Sequence, residues 1–109
     1  MSKLVREHTA VVLIDHQRML MSLLPEERRV QLRHHMKILL KIARAFDLPI
    51  IATSNLEDGA NGPIAEVIQD HAPEAFEARI KRQGEFNAFE NHEFGAAVAA
   101  TGRRTLLIA

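Results

Sequence analysis

Three segments of this chain carry side chains able to do chemistry. Each follows a run that reads as a strand. Asp15-His16-Gln17 comes directly after the apolar run Ala10 to Ile14. Thr53-Ser54-Asn55-Leu56-Glu57 closes a second run that begins at Pro49. Lys81 to Phe89 follows a weaker third strand, read over Ala75 to Lys81. A carboxylate emerging from five apolar residues, as Asp15 does, loses part of its water. Burial of that kind suits proton transfer, and it also suits an Asp that merely caps a turn. Lys81 or Arg82 can place a positive charge beside it; the same pair also suits an ordinary ion pair.

These segments need a scaffold that brings them together, and the rest of the chain reads as one. Ala10 to Ile14 is continuous and β-branched, the pattern of a strand covered on both faces. His16 to Ser22 reads as a loop. A long helix follows, with Pro25 suited to its first position and Glu26 and Glu27 in its positive first turn. Leu32, Met36, Leu39, Leu40, Ala43 and Phe46 form its apolar stripe. Arg33, Lys37, Lys41 and Arg44 form a basic row on another face, read as solvated. Pro49 ends the helix and opens the second strand, Pro49 to Ser54. Turn residues fill Glu57 to Pro63, and a short helix runs from Pro63 or Ile64 to about Asp70. Asn91 can cap a helix over Glu93 to Ala100, with Gly102 as its stop. Arg104 to Ala109 reads as a fourth strand. Alternating strands and helices predict a mainly parallel sheet with right-handed crossovers. In such sheets ligands bind beyond the C-terminal strand ends, where all three segments arrive.

Composition removes several alternatives. At 109 residues the chain is one domain at most. Lys plus Arg and Asp plus Glu both count 14, so no net charge favours nucleic acid or an anionic membrane. No apolar run is long enough to span a bilayer, and Met1 to His8 has no signal-peptide core. The expected location is cytoplasmic. There is no cysteine, so no disulfide, thiolate metal site or thiol nucleophile lies within these residues. The six histidines show no metal-binding spacing: His34 and His35 are adjacent, and His8, His16, His71 and His92 are scattered. Gly59, Gly62 and Gly84 form neither a dinucleotide fingerprint nor a P-loop. No metal or cofactor is expected.

Taken in order, four segments resemble the isochorismatase-like cysteine hydrolases, above all their YcaC-like branch. They are Ala10 to Gln17; Leu48 to Ser54 with Glu57 and Asn61-Gly62-Pro63; Arg82 to Phe89 with Asn87-Ala88-Phe89; and Ala100 to Ala109. The resemblance implies a three-layer α/β/α, Rossmann-like fold and a triad of Asp, a basic residue and Cys. Asp15 matches the Asp and Arg82 the basic residue, with Lys81 adjacent in register. Gln17 and Asn87 match substrate-binding positions near the pocket. Zinc-dependent nicotinamidase relatives carry Asp-x-His after the second strand, which Ser54 to Glu57 lacks. The family's Cys follows the strand matching Arg104 to Ala109. Residues 1–109 are therefore expected to be the N-terminal portion of a single hydrolase domain, truncated after about its fourth strand and inactive by itself. The implied strand order is 3-2-1-4. The implied parent hydrolyses a C–N or C–O bond of a small molecule and forms a homo-oligomer. The alternative is a non-catalytic α/β scaffold or oligomerisation module of the same fold.

Overall fold

A computed structural model describes residues 4–109; of the polar segment Met1 to His8, the first three residues lie outside the description. Four parallel strands form one sheet: β1 (Thr9–Ile14), β2 (Ile50–Asn55), β3 (Ile80–Arg82) and β4 (Thr105–Ile108). Their spatial order is β3-β2-β1-β4, the order the family resemblance implies. Pairing is in register from Val11 opposite Ile50 to Ile14 opposite Thr53, and from Thr53 opposite Ile80 to Asn55 opposite Arg82. β4 pairs with β1 from Thr9 opposite Thr105 to Val12 opposite Ile108.

β1 lies inside the sheet and is covered on both faces, which is why its sequence is apolar without alternation. Val11 and Leu13 point to one face. There they meet α2 (Glu26–Ala45) and α3 (Glu66–His71) through Met36, Leu40, Ala43, Val67 and Ile68. Val12 and Ile14 point to the other, against α5 (His92–Ala100) through Phe94, Ala97 and Val98. The result is the expected three-layer α/β/α arrangement.

Asn91 caps α5 as its sequence suggests, its side-chain oxygen accepting the Phe94 N–H at 2.9 Å. Gly102 follows with φ +67°, the left-handed stop that glycine favours.

Three sequence expectations give way. His16 to Ser22 is not all loop: Arg18–Ser22 forms a short helix, α1. So short a helix has little stability of its own. Here the Arg18 and Met19 N–H groups are satisfied across the chain by Pro63 O at 2.8 Å and Asn61 O at 3.2 Å. The third strand does not begin at Ala75. Pro73–Glu77 is a helical turn, α4, and the strand is confined to Ile80–Arg82. Pro73 at the first helical position was the available signal. Phe46 does not belong to the buried stripe of α2, because the helix ends at Ala45 and Phe46 is 53% exposed.

Leu40→Ala should destabilise the chain by about 2–5 kcal/mol, because Leu40 is enclosed by the core. Phe46→Ala should cost clearly less, about 1 kcal/mol, since about half of that residue stays in water. Urea denaturation of the two variants measures the contrast.

Candidate active site

The C-terminal ends of β1, β2 and β3 lie side by side, and the chain leaves β1 and β2 through unusual backbone. Asp15 has φ +60° and Leu56 has φ +51°, left-handed conformations that cost a non-glycine residue about 1–2 kcal/mol each. Both are held by the sheet's own hydrogen bonds. The Asp15 N–H donates to Thr53 O and the Leu56 N–H to Arg82 O, each at 3.0 Å. These bonds extend the β1–β2 and β2–β3 pairings by one step and fix where the two side chains emerge.

Arg82 ends β3 and is 0% exposed. A buried guanidinium requires acceptors for its donors, and each edge of this one finds them. Nε donates to the Thr53 hydroxyl at 3.1 Å. One terminal nitrogen donates to the carbonyls of Glu85 and Phe86, and the other to Asp15 Oδ1, with which it forms an ion pair. The Asp15 side chain retains 29% of its surface. The second oxygen, Oδ2, has no hydrogen-bond partner among the described residues. An incoming group therefore meets the carboxylate first, with the cation fixed behind it.

Neighbouring residues on a strand point to opposite faces, and this separates Lys81 from Arg82. Lys81 turns away from Asp15 and pairs with Glu57 at 3.3 Å and Asp58 at 3.4 Å. Of the two basic residues the sequence left open, Arg82 is the one beside the carboxylate.

Gln17 and Asn87 occupy different settings. Gln17 is fully buried. Its amide nitrogen donates to Asn55 O at 3.0 Å and Gly62 O at 2.7 Å, and its amide oxygen accepts the Asn55 N–H at 2.9 Å. The side chain is spent on joining the loops after β1 and β2. All of these bonds run to backbone groups of the two loops. Asn87 is exposed, and its side-chain oxygen accepts the Phe89 N–H at 3.0 Å, capping a single 3-10 turn.

Three residues of the segments named from the sequence have contacts that the sequence did not assign. Thr53 touches both charged partners: its hydroxyl accepts from Arg82 and donates to Ile80 O at 2.8 Å, while its carbonyl accepts from Asp15. A threonine in a buried strand carries no signal of such a role. His16 has a buried Nε2 with no partner among the described residues. Burial pushes its imidazole pKa below the usual range, against the opposing effects of a hydrogen bond with Ala109 and the charge of Asp15. Glu57 is nearly buried between Arg79, at 2.8 Å, and Lys81. Its burial raises the carboxyl pKa, but the hydrogen bonds and charges of the two cations outweigh that and leave it below the ordinary glutamate range. Among the described residues no group of three or more His, Cys, Asp or Glu is placed to hold a metal ion.

Residues 9–109 match the isochorismatase domain. The chain is 36% identical over 107 residues to the probable hydrolase YcaC of Escherichia coli K12, covering 98% of this chain and 50% of that one. The crystal structure of the E. coli ycaC gene product, an octameric hydrolase of unknown specificity, superposes with a TM-score of 0.86 at 36% identity, over 100% of this chain and 52% of that one. YcaC from Pseudomonas aeruginosa, solved with hexane-2,5-diol and covalent acrylamide, gives a TM-score of 0.81 at 37% identity, over 97% and 52%. The chain belongs to the isochorismatase family of hydrolases. It spans about half the length of the relatives it matches.

Thr53→Val should destabilise the chain by about 1–3 kcal/mol, because it leaves the Arg82 Nε–H buried without an acceptor. Thr53→Ser should recover most of that loss. A larger loss for Ser than for Val in urea denaturation would show that shape, not the hydroxyl, sets the site.

A second expectation concerns acid. Because the folded-state pKa of Glu57 lies below its unfolded value, its contribution is present above the unfolded pKa and lost as pH falls through the folded one. Glu57→Gln should therefore cost stability at neutral pH, and the gap from the unsubstituted chain should close as the pH drops below the glutamate range. A gap independent of pH would contradict the charge pairing.

Proposed function

We propose that residues 1–109 are the N-terminal portion of one isochorismatase-like hydrolase domain and supply the Asp–Arg half of its active site. The observation that carries this reading is the convergence of Asp15 and Arg82 at the ligand-binding end of the sheet, from strands separated by β2. A non-catalytic scaffold gives no reason to leave a carboxylate oxygen exposed over a buried arginine.

In the proposed reaction the nucleophile is a cysteine outside these 109 residues, which contain none. Asp15 Oδ2 takes the thiol proton, and the thiolate attacks the electrophilic carbon of a small-molecule substrate. For an amide, the C–N bond breaks as the leaving nitrogen receives that proton. Water, deprotonated by the same carboxylate, then cleaves the thioester and restores the thiol. Arg82 holds Asp15 in position and balances its charge. No cofactor enters the scheme. The covalent acrylamide on the Pseudomonas relative supports a nucleophile in this fold, because acrylamide is an electrophile that thiolates attack. The octameric E. coli relative supports a homo-oligomer. No helix among the described residues is long and apolar enough to cross a membrane, in keeping with a proposed cytoplasmic location.

The test uses a chimera in which these 109 residues replace the matching half of E. coli YcaC, assayed on a panel of small amides and vinyl ethers. The 109-residue chain alone should turn over none of them. The chimera should hydrolyse at least one, and Asp15→Asn should lower that rate by about 100-fold or more. An Asp15→Asn chimera with undiminished turnover would remove Asp15 from the chemistry.

A further inference from the structure

The outer face of α2 has no partner among the described residues. At about 100° per residue, Glu27, Val30, His34, Ile38 and Lys41 fall on one row, roughly opposite the buried Met36, Leu40 and Ala43. All five are exposed, Val30 by 53% and Ile38 by 43%. Neither Glu27 nor Lys41 forms an ion pair among the described residues. The direction of the row matters. A further helix in the same layer would cover a flank of α2, whereas this row points away from the sheet, out of the three-layer stack. What covers it must come from outside that stack.

We infer that the occupant is a second copy of this chain, with the two α2 helices packed antiparallel about a two-fold axis through His34. In such an isologous contact residue i of one copy meets residue j of the other, and j meets i. A centre at His34 sets Val30 against Ile38 and Glu27 against Lys41, each pair occurring twice. Apolar thus meets apolar and acid meets base, on both sides of the axis. On this row the acid, Glu27, lies in the first turn and the base, Lys41, in the second half, so antiparallel pairing sets them against each other. A parallel pairing would set like against like.

One helix face is smaller than the roughly 800 Å² per partner of a standard stable interface. The contact is therefore small by itself and suited to be one of several in a larger assembly. The proposal rests on the homo-oligomer reading and names its surface; the hydrolase reading does not depend on it.

The chain's lack of cysteine makes the test clean. His34→Cys introduces a single thiol at the proposed axis, and Glu90→Cys, at an exposed position off α2, serves as control. With a short bis-maleimide, His34→Cys should give mostly covalent dimer at concentrations where Glu90→Cys stays monomeric. By sedimentation, Lys41→Glu should weaken self-association about 10-fold or more, and Glu27→Lys combined with Lys41→Glu should restore it. A chain that stays monomeric at every concentration would overturn both the proposal and the homo-oligomer reading. Self-association indifferent to the charge reversals, as pairing through the open edge of β4 would be, or equal cross-linking of the two cysteines would overturn the proposal alone.

Discussion

The site depends on the contact between the Arg82 guanidinium and the Asp15 carboxylate. A guanidinium with no exposure is tolerated only when its donors are satisfied, and this requirement reaches through three strands. β3 delivers the arginine, β2 supplies the Thr53 hydroxyl, and β1 supplies the carboxylate. The loop after β3 must also fold back so that the Glu85 and Phe86 carbonyls face the guanidinium. Losing any one of these would leave a buried cation with an empty donor.

The parallel register is what makes that contact possible. Pairing Ile14 with Thr53, and Asn55 with Arg82, gathers the three strand ends on one side of the sheet, with β1 ending two residues before the other two. Two left-handed residues, Asp15 and Leu56, then turn the chain off the sheet where the ladder ends. The Gln17 amide ties the first of these loops to the second through Asn55 and Gly62. Asn55 in turn ties the second to the third, its side-chain oxygen accepting the Gly84 N–H at 2.7 Å. The loops at this end are thus joined by short polar bonds rather than by apolar packing. Such an arrangement sets direction as well as distance, as a site with one exposed carboxylate oxygen requires.

Much of this was legible in the sequence because the strongest local signals were also the structural ones. The unbroken apolar run of β1 announces a strand buried on both faces, and the periodicity of α2 announces its buried side through Met36, Leu40 and Ala43. Asp15 and a basic partner could be paired because parallel topology collects strand ends; the family resemblance matched Arg82 but left Lys81 open, and only the side-chain positions separate the two. Other features resisted for physical reasons. α1 is too short to show a period and exists because loop carbonyls cap it. The α4 turn was hidden because the mixed polar and apolar order of Ala75 to Lys81 suits a strand as well as a single helical turn. Gln17 is placed near the pocket by the family resemblance alone, and nothing in its own sequence context signals that its amide bonds run to the backbone of Asn55 and Gly62. The role of Thr53 has no local signature; it arises from which strands become neighbours.

The most direct test of this account is a double-mutant cycle between Asp15 and Arg82. Stabilities of the unsubstituted chain, Asp15→Asn, Arg82→Met and the double variant, from urea denaturation at neutral pH, give the coupling between the two side chains. A shared, largely buried ion pair requires a favourable coupling of about 1.5 kcal/mol or more. It also requires the double variant to be no less stable than Asp15→Asn alone, because the buried cation no longer lacks its partner. A coupling within about 0.3 kcal/mol of zero would mean the two residues act independently, and the contact on which the site is built would be contradicted.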